Sequence, residues 1–256
     1  MFLANHQQIT KYDLESIINI MSGAAPLGAL DEAKLLKKAQ REILVMQGFG
    51  LTETSPLVMC TRKEFKKDKN VVGSVGKPAV NTEVKIVDVT NPHKNVAPGE
   101  CGELLVKGPQ VMKGYHNRPK ENEEAFLDGW LRTEDLMTYE NGYFFVKDRI
   151  KELIKVKGFQ VAPAELEELI RDIPNVLDAA VIGITHVSHG EVPRAYIVPK
   201  PGPKLDTEKI NEVLKKKLAP YKQLVGGISV VESIPKNASE KILRRELKQQ
   251  YMKKKH

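Results

Sequence analysis

The feature that most constrains this chain is a change of pattern near Lys151. From Val72 to Val146, short β-rich runs at Val84 to Val89, Glu103 to Val106 and Tyr143 to Val146 alternate with turn signals at Asn91-Pro92, Pro98-Gly99, Gly108-Pro109 and Asn141-Gly142. After Lys151, helices and strands interleave instead. Pro163 opens a helix with Glu165, Glu167 and Glu168 in its early turns, where carboxylates favour the helix dipole, and Leu166, Leu169, Ile170 and Ile173 form its buried stripe. Strands at Leu177 to Ile184 and Arg194 to Val198, a helix at Glu208 to Leu218 stopped by Pro220, and a strand at Ile228 to Glu232 follow. The expected class is α/β with α+β subdomains: residues 1–150 end in a small β subdomain, and residues 151–256 make a compact α/β domain. Nearer the start, Asp31 to Ile43 spaces Leu35, Leu36, Ala39 and Ile43 as one face of a short amphipathic helix with acids in its first turn.

Composition narrows the function classes. With 41% hydrophobic and 29% charged residues over 256 positions, the chain reads as folded, which excludes disordered and collagenous proteins. Its longest apolar run, Ala179 to Ile184, falls far short of the ~20 residues a membrane helix needs. Met1 to Gln8 has no basic region leading into an apolar stretch, so no secretion signal is expected. Only Cys60 and Cys101 are present, which gives no disulfide framework and fits an intracellular, reducing compartment. The net charge of +7 is one-sided: residues 1–150 hold 20 Lys+Arg against 20 Asp+Glu, residues 151–256 hold 20 against 13. A basic half suits nucleic acid, an anionic membrane surface or a small polyanion such as a nucleotide or coenzyme A. Lys215 to Lys217 and Lys253 to Lys255 read more simply as solvated surface. Arg244, Arg245 and Lys248 also read as a solvated face, since no aromatic side chains interleave them for base stacking, and no nucleic-acid partner is expected. His186 and His189 lack the Cys or acidic company of a metal site and read as loop histidines.

Four motifs carry chemistry. The first, Ser22-Gly23-Ala24-Ala25-Pro26-Leu27-Gly28, is a run of small residues on which a flat ring can lie, and it fits a plain strand-to-helix turn equally well. In the second, Gln47-Gly48-Phe49-Gly50-Leu51-Thr52-Glu53-Thr54, two glycines flank an aromatic, then a hydroxyl and a carboxylate stand side by side, which suits a phosphate oxygen and a Mg²⁺ ion held together. No Gly-Lys-Ser/Thr occurs, so this is not a Walker loop. The third runs Gly129-Trp130-Leu131-Arg132-Thr133-Glu134-Asp135 and then from Asp148-Arg149-Ile150-Lys151 through Lys155-Val156-Lys157-Gly158-Phe159 to Glu167. The fourth is Pro235-Lys236-Asn237-Ala238-Ser239-Glu240-Lys241-Ile242-Leu243-Arg244-Arg245.

Together, in this order and from about Tyr12 to Leu247, these motifs closely resemble the adenylate-forming superfamily, in particular acyl-CoA synthetases of the 4-coumarate-CoA ligase and beetle luciferase type. The resemblance implies an acid-CoA ligase that joins ATP to a carboxylic acid, aromatic or fatty, as acyl-AMP and then makes acyl-CoA, with ATP, Mg²⁺ and CoA as cofactors. Gly23, Ala24 and Ala25 look like the wall for adenine, and Gly48, Phe49, Gly50 and Thr52 like the phosphate side, with Glu53 as the Mg²⁺ ligand. Asp135 is similar to the acid that holds both ribose hydroxyls, assisted by Arg149. Lys151 matches the hinge, Lys241 the catalytic lysine of adenylation, and Lys155, with Gly158 and Phe159 on the CoA side, that of thioester formation. One cation brought to the α-phosphate stabilises the negative charge built as the carboxylate attacks. Lys155 and Lys241 as ordinary surface lysines, and Asp148-Arg149 as a surface ion pair, are the plainer readings.

The match covers only the C-terminal half of such proteins. Relatives begin with a long ATP-binding domain whose Ser/Thr- and Gly-rich loop ends in Pro-Lys, and nothing in these 256 residues matches it. The expected organisation is a truncated ATP-binding domain remnant with its β subdomain, residues 1–150, followed by the mobile lid domain, residues 151–256. Two positions depart from the pattern, since Glu134 and Glu240 stand where the family has glycine. Glycine serves where backbones approach closely or φ is positive. A catalytically incomplete nucleotide- or CoA-binding fragment is the alternative, and a luciferase-like monooxygenase shares the same motifs. With the usual sheet partners missing, an exposed apolar surface at Ile17 to Met21 and Val45 to Leu57 is expected to favour self-association. Many relatives carry a Ser-Lys-Leu-type peroxisomal address, whereas this chain ends Lys253-Lys254-Lys255-His256, which leaves cytoplasm or peroxisome.

Overall fold

The computed structural model describes residues 3, 9–23, 27–65, 67–202, 205–238 and 240–255. They divide into two compact units, Met1–Ile150 and Lys151–His256.

The first unit begins with strand β1 (Asn19–Ser22), helix α1 (Ala29–Ala39) and strand β2 (Leu44–Gly50), a parallel β-α-β step whose helix buries Leu35 and Ala39 with Leu14, Ile43 and Val45. The helix is two residues earlier and shorter than the apolar spacing suggests, because Ile43 already belongs to the lead-in to β2. Antiparallel β3 (Leu57–Cys60) and β4 (Lys77–Pro78) complete a sheet of order β1-β2-β3-β4. A second sheet holds β5 (Glu83–Val87), β6 (Gly102–Lys107), helix α2 (Pro119–Ala125), then β7 (Phe126–Leu127), β8 (Trp130–Glu140) and β9 (Tyr143–Arg149), all paired antiparallel. Val58, Met59 and Val75 meet Ile86, Leu104, Met137 and Phe144 in one core, which locks the two sheets together.

The expected apolar surface is present in part. Ile18, just before β1, and Met21 on that edge strand are 75% and 59% exposed and Leu57 is exposed too, while Ile17 and Ile20 pack on the α1 core and Val45 is buried. Within β1 the period of two along a strand turns Ile20 inward and Met21 outward.

The second unit is a sheet of order β11-β10-β13-β12 with β14 added parallel to β13. Its strands are β10 (Ile154–Val156), β11 (Phe159–Val161), β12 (Val176–His186), β13 (Gly190–Pro199) and β14 (Ile228–Val230). Helices α3 (Pro163–Arg171) and α4 (Thr207–Lys217) cover one face, over Ala179 and Val181; α5 (Arg244–Lys255) covers the other, over Ala180, Ile182 and Ile184. A strand covered on both faces reads as a continuous apolar run, which accounts for Ala179 to Ile184. Arg244 does not lie on a solvated face with Arg245 and Lys248, because Glu167 claims it. The Glu167 carboxylate is buried, accepts the Val181 N–H at 2.8 Å and pairs with Arg244 at 2.7 Å, tying α3 to the start of α5. Arg245 and Lys248 are exposed, as are Lys215 to Lys217 at the end of α4. No described helix is long and apolar enough to cross a membrane.

Candidate functional site

Parallel pairing sets the carboxyl ends of β1 and β2 side by side, with Ser22 opposite Gln47. Open α/β sheets leave their ligand crevice at this end. Gly23 emerges there, and a Cβ on it would stand 3.6 Å from the Gly48 carbonyl oxygen. Ala24 and Ala25 lie outside the described residues. The loop is anchored where it returns: the buried Gln47 amide donates to the Leu27 carbonyl at 3.0 Å, while its own N–H donates to the Thr61 hydroxyl at 2.6 Å. Gly48, Phe49 and Gly50 form the end of β2, paired antiparallel with β3. Gly50 is explained by packing, since any Cβ there would overlap the Pro56 carbonyl oxygen.

The chain then turns through Thr52–Thr54, which leaves Thr52 exposed and Glu53 half-buried. Two contacts from the segment after β6 hold this turn. The Glu53 carbonyl accepts the Met112 N–H at 2.8 Å, and its carboxylate Oε1 accepts the Tyr115 hydroxyl at 2.8 Å. Burial first, then the bond to Glu53 and the charges of Glu53 and Glu134, push the Tyr115 phenol up to about 12. That both carboxylates act on one hydroxyl brings Glu134 of β8 to the same side as the β2–β3 turn.

Glu134 sits in a bulge: Leu105 pairs with Arg132 and Glu103 with Leu136, so residues 133–135 stand opposite Leu104 alone. Its φ of +57° is the left-handed conformation that glycine adopts most readily, which fits the departure noted in the sequence. The fully buried Glu103 carboxylate holds the bulge by accepting the Glu134 N–H at 3.2 Å and the Arg132 guanidinium at 2.6 Å. Thr133 donates its hydroxyl to the Leu104 carbonyl at 2.8 Å and accepts the Asp135 N–H at 3.1 Å. Asp135, 6% exposed, is thereby aimed at its cross-strand partner Arg149, whose Nε donates to its Oδ1 at 3.1 Å. The surface pair Asp148-Arg149 is not the arrangement found: Asp148 is buried and accepts the Arg149 N–H, while the guanidinium turns to Asp135.

These residues suit the groups the sequence implies. Glu53 keeps a carboxylate oxygen beyond its bond to Tyr115, beside an exposed Thr52 hydroxyl; a hard cation such as Mg²⁺ takes one or two carboxylates and completes its shell with phosphate and water. Among the described residues no cluster of three His, Cys, Asp or Glu side chains forms a cage, so any ion here depends on its ligand's oxygens.

In the second unit, Lys155 is exposed at the centre of β10 and its N–H donates to Glu191 at 3.0 Å. The β10–β11 hairpin turns at Lys157 and Gly158, both with positive φ, the mark of a two-residue type I′ turn. Phe159 beyond it is 55% exposed and stacks on Tyr221 at 4.5 Å. Lys151 is exposed. Lys241 closes a small hairpin, in which its N–H donates to the Asn237 side chain at 2.9 Å and Lys236 bridges Ile242. Glu240 before it has φ +62°, again the left-handed conformation that glycine adopts most readily. His186 and His189 meet at 3.1 Å across the β12–β13 turn, beside Ser188.

Sequence reasoning missed Tyr115, Glu103 and Arg132. Gly114-Tyr115 followed by Asn122 was the available signal for the first, and a Glu amid the apolar run of β6 for the second.

Comparison with known proteins gives a consistent set of likenesses. A family model described as "AMP-binding enzyme" matches residues 1–116, and one described as "AMP-binding enzyme C-terminal domain" matches residues 165–241. The 4-coumarate–CoA ligase-like protein 9 of Arabidopsis thaliana is 40% identical over 96% of this chain and 43% of its own length. Peroxisomal OPC-8:0-CoA ligase 1 of the same plant is 42% identical over 93% of this chain and 43% of its own length. ATP-bound MatB from Rhodopseudomonas palustris superposes with a TM-score of 0.86 at 28% identity, over 97% of this chain and 48% of that one. The chain thus spans less than half the length of these relatives.

Proposed function

Because the chain belongs to the AMP-binding enzyme family, we propose that it is the C-terminal part of an AMP-forming acid–thiol ligase acting on an aromatic or fatty acid. Residues 1–150 carry the nucleotide side, residues 151–256 the lid, and Lys151 the hinge. The observation that carries this reading is the geometry of Asp135, buried in the β8 bulge with its Oδ1 held by the Arg149 guanidinium at 3.1 Å, as an acid that binds ribose hydroxyls needs.

Asp135 accepts both ribose hydroxyls, and Arg149 fixes its carboxylate for that purpose. Glu53 and Thr52 face the phosphates. Bound Mg²⁺ spreads the charge of the phosphate oxygens. Lys241 supplies the cation that stabilises charge as the acid's carboxylate meets the α-phosphate, a contribution whose removal costs about 10²- to 10³-fold in rate. Lys155, Gly158 and Phe159 serve the CoA half-reaction, for which the basic surplus of residues 151–256 is suited. The apolar edge at Ile18 and Met21 favours association with further polypeptide.

The test is pyrophosphate release with Mg-ATP and a panel of aromatic and fatty acids. The 256 residues alone release none. Fusion to the segment that precedes this span in a relative restores release, and Lys241→Ala abolishes it. Release from the 256 residues alone would show that adenylation is complete without that segment. A folded fusion that stays inert with every acid would reject the ligase reading and favour a fragment that only binds nucleotide or CoA.

A further inference from the structure

We propose that Tyr115 is a positioning residue that sets the Glu53 carboxylate for its divalent cation, through a clamp in which the side-chain amide of Asn122 grips the Tyr115 backbone. The inference rests on the reading of Glu53 as the Mg²⁺ ligand and adds the device that orients it.

A half-exposed glutamate is a poor ligand unless something fixes it, because freezing its rotamers costs up to about 2 kcal/mol. Here the Tyr115 hydroxyl takes Oε1 at 2.8 Å, which fixes the carboxylate plane and leaves Oε2 for the cation. Tyr115 is itself held at both backbone groups: its N–H donates to Asn122 Oδ1 at 2.6 Å and its carbonyl accepts Asn122 Nδ2 at 3.0 Å. This two-bond pairing spans the turn from Tyr115 into α2 and fixes where the phenol points. Gly114 makes the pairing close. Its φ is +145°, and a Cβ there would come within 2.9 to 3.1 Å of the Asn122 amide. The Met112 N–H bond to the Glu53 carbonyl at 2.8 Å fastens the same segment to the same turn. Met112, Gly114, Tyr115 and Asn122 therefore act together on the Glu53 turn, with the Tyr115 hydroxyl as the contact to its carboxylate.

Residues that hydrogen-bond a metal-ligating group orient it, and their loss typically lowers metal affinity about 10- to 100-fold. Tyr115→Phe keeps the ring and removes only the hydroxyl, so packing is preserved. Asn122→Ala keeps the phenol but releases the clamp that aims it at Glu53. The probes are Mn²⁺ with ATP, followed by electron paramagnetic resonance, and AMP without metal, followed by calorimetry. In the parent chain both bind; in Tyr115→Phe and Asn122→Ala the Mn²⁺-ATP affinity falls about tenfold while AMP affinity is unchanged. Unchanged Mn²⁺ affinity, or an equal fall for AMP, would overturn the positioning role while leaving the nucleotide reading intact. A parent chain that binds AMP but no Mn²⁺ with ATP would remove the ligand role of Glu53, and this proposal with it. A folded parent chain that binds no AMP would overturn the nucleotide reading itself, and the positioning role would fall with it.

Discussion

Arg149 reaches Asp135 because the two are cross-strand partners on β9 and β8, with Nε 3.1 Å from Oδ1. The Arg149 side chain is 41% exposed and that of Asp135 only 8%. Arg149→Ala therefore costs less than breaking a fully buried pair, about 1 to 3 kcal/mol in urea unfolding. Unfolding midpoints within error of the parent would show that the pair serves only the ligand.

The two glutamates at glycine positions invite the reverse experiment. Glu134 and Glu240 have φ of +57° and +62°, where a side chain costs about 1 to 2 kcal/mol that glycine avoids, partly offset by glycine's greater chain entropy. Glu134→Gly and Glu240→Gly should each raise stability by about 0.5 to 1 kcal/mol, read from the denaturant midpoint. A fall in either midpoint would mean that the glutamate side chain contributes a compensating contact larger than its backbone strain.

The phenol of Tyr115 titrates late, at about 12 against an ordinary 10.0, through burial and the neighbouring carboxylates. Because the folded value is the higher one, its contribution to stability is complete below pH 10 and disappears as pH rises toward 12. Tyr143 is raised too, by burial and by its bond to Asp68. Absorbance of tyrosinate should show these two among the seven tyrosines ionising last, and Tyr115→Phe should remove one late step.

In the second unit, Glu167 is a buried carboxylate satisfied by Arg244 and by the Val181 N–H. Truncating Arg244 alone leaves that charge buried, at a cost of about 3 to 5 kcal/mol. The double change Glu167→Leu with Arg244→Met should cost clearly less than Arg244→Ala. If thermal unfolding ranks the double change as the worse, desolvation of the carboxylate is not the dominant effect.

How far the sequence speaks depends on how local the cause is. The strands read at Val84 to Val89, Glu103 to Val106 and Tyr143 to Val146 and the helix opened by Pro163 follow from short-range period and turn chemistry, and the structure has them with small shifts at the ends, whereas β7 and the long β8 are not among the strands read from that pattern. The left-handed backbone at Glu134 and Glu240 was also legible, because a carboxylate at a glycine position marks the φ that glycine serves. Tyr115 was legible only as far as its own turn, which Gly114 and Asn122 signal; its partner Glu53 lies 62 residues away and no local pattern names it. Arg244 misled for the same reason: in a row of basic residues nothing distinguishes the one that a buried Glu167, 77 residues earlier, will claim.

Calorimetric titration of Mg-ATP into the 256-residue protein asks whether residues 1–150 hold the nucleotide as proposed. Saturable binding is expected at one site per chain, and Asp135→Ala should abolish it while leaving the thermal unfolding transition in place. A folded protein that gives no binding heat, or binding that Asp135→Ala leaves unchanged, would contradict that proposal.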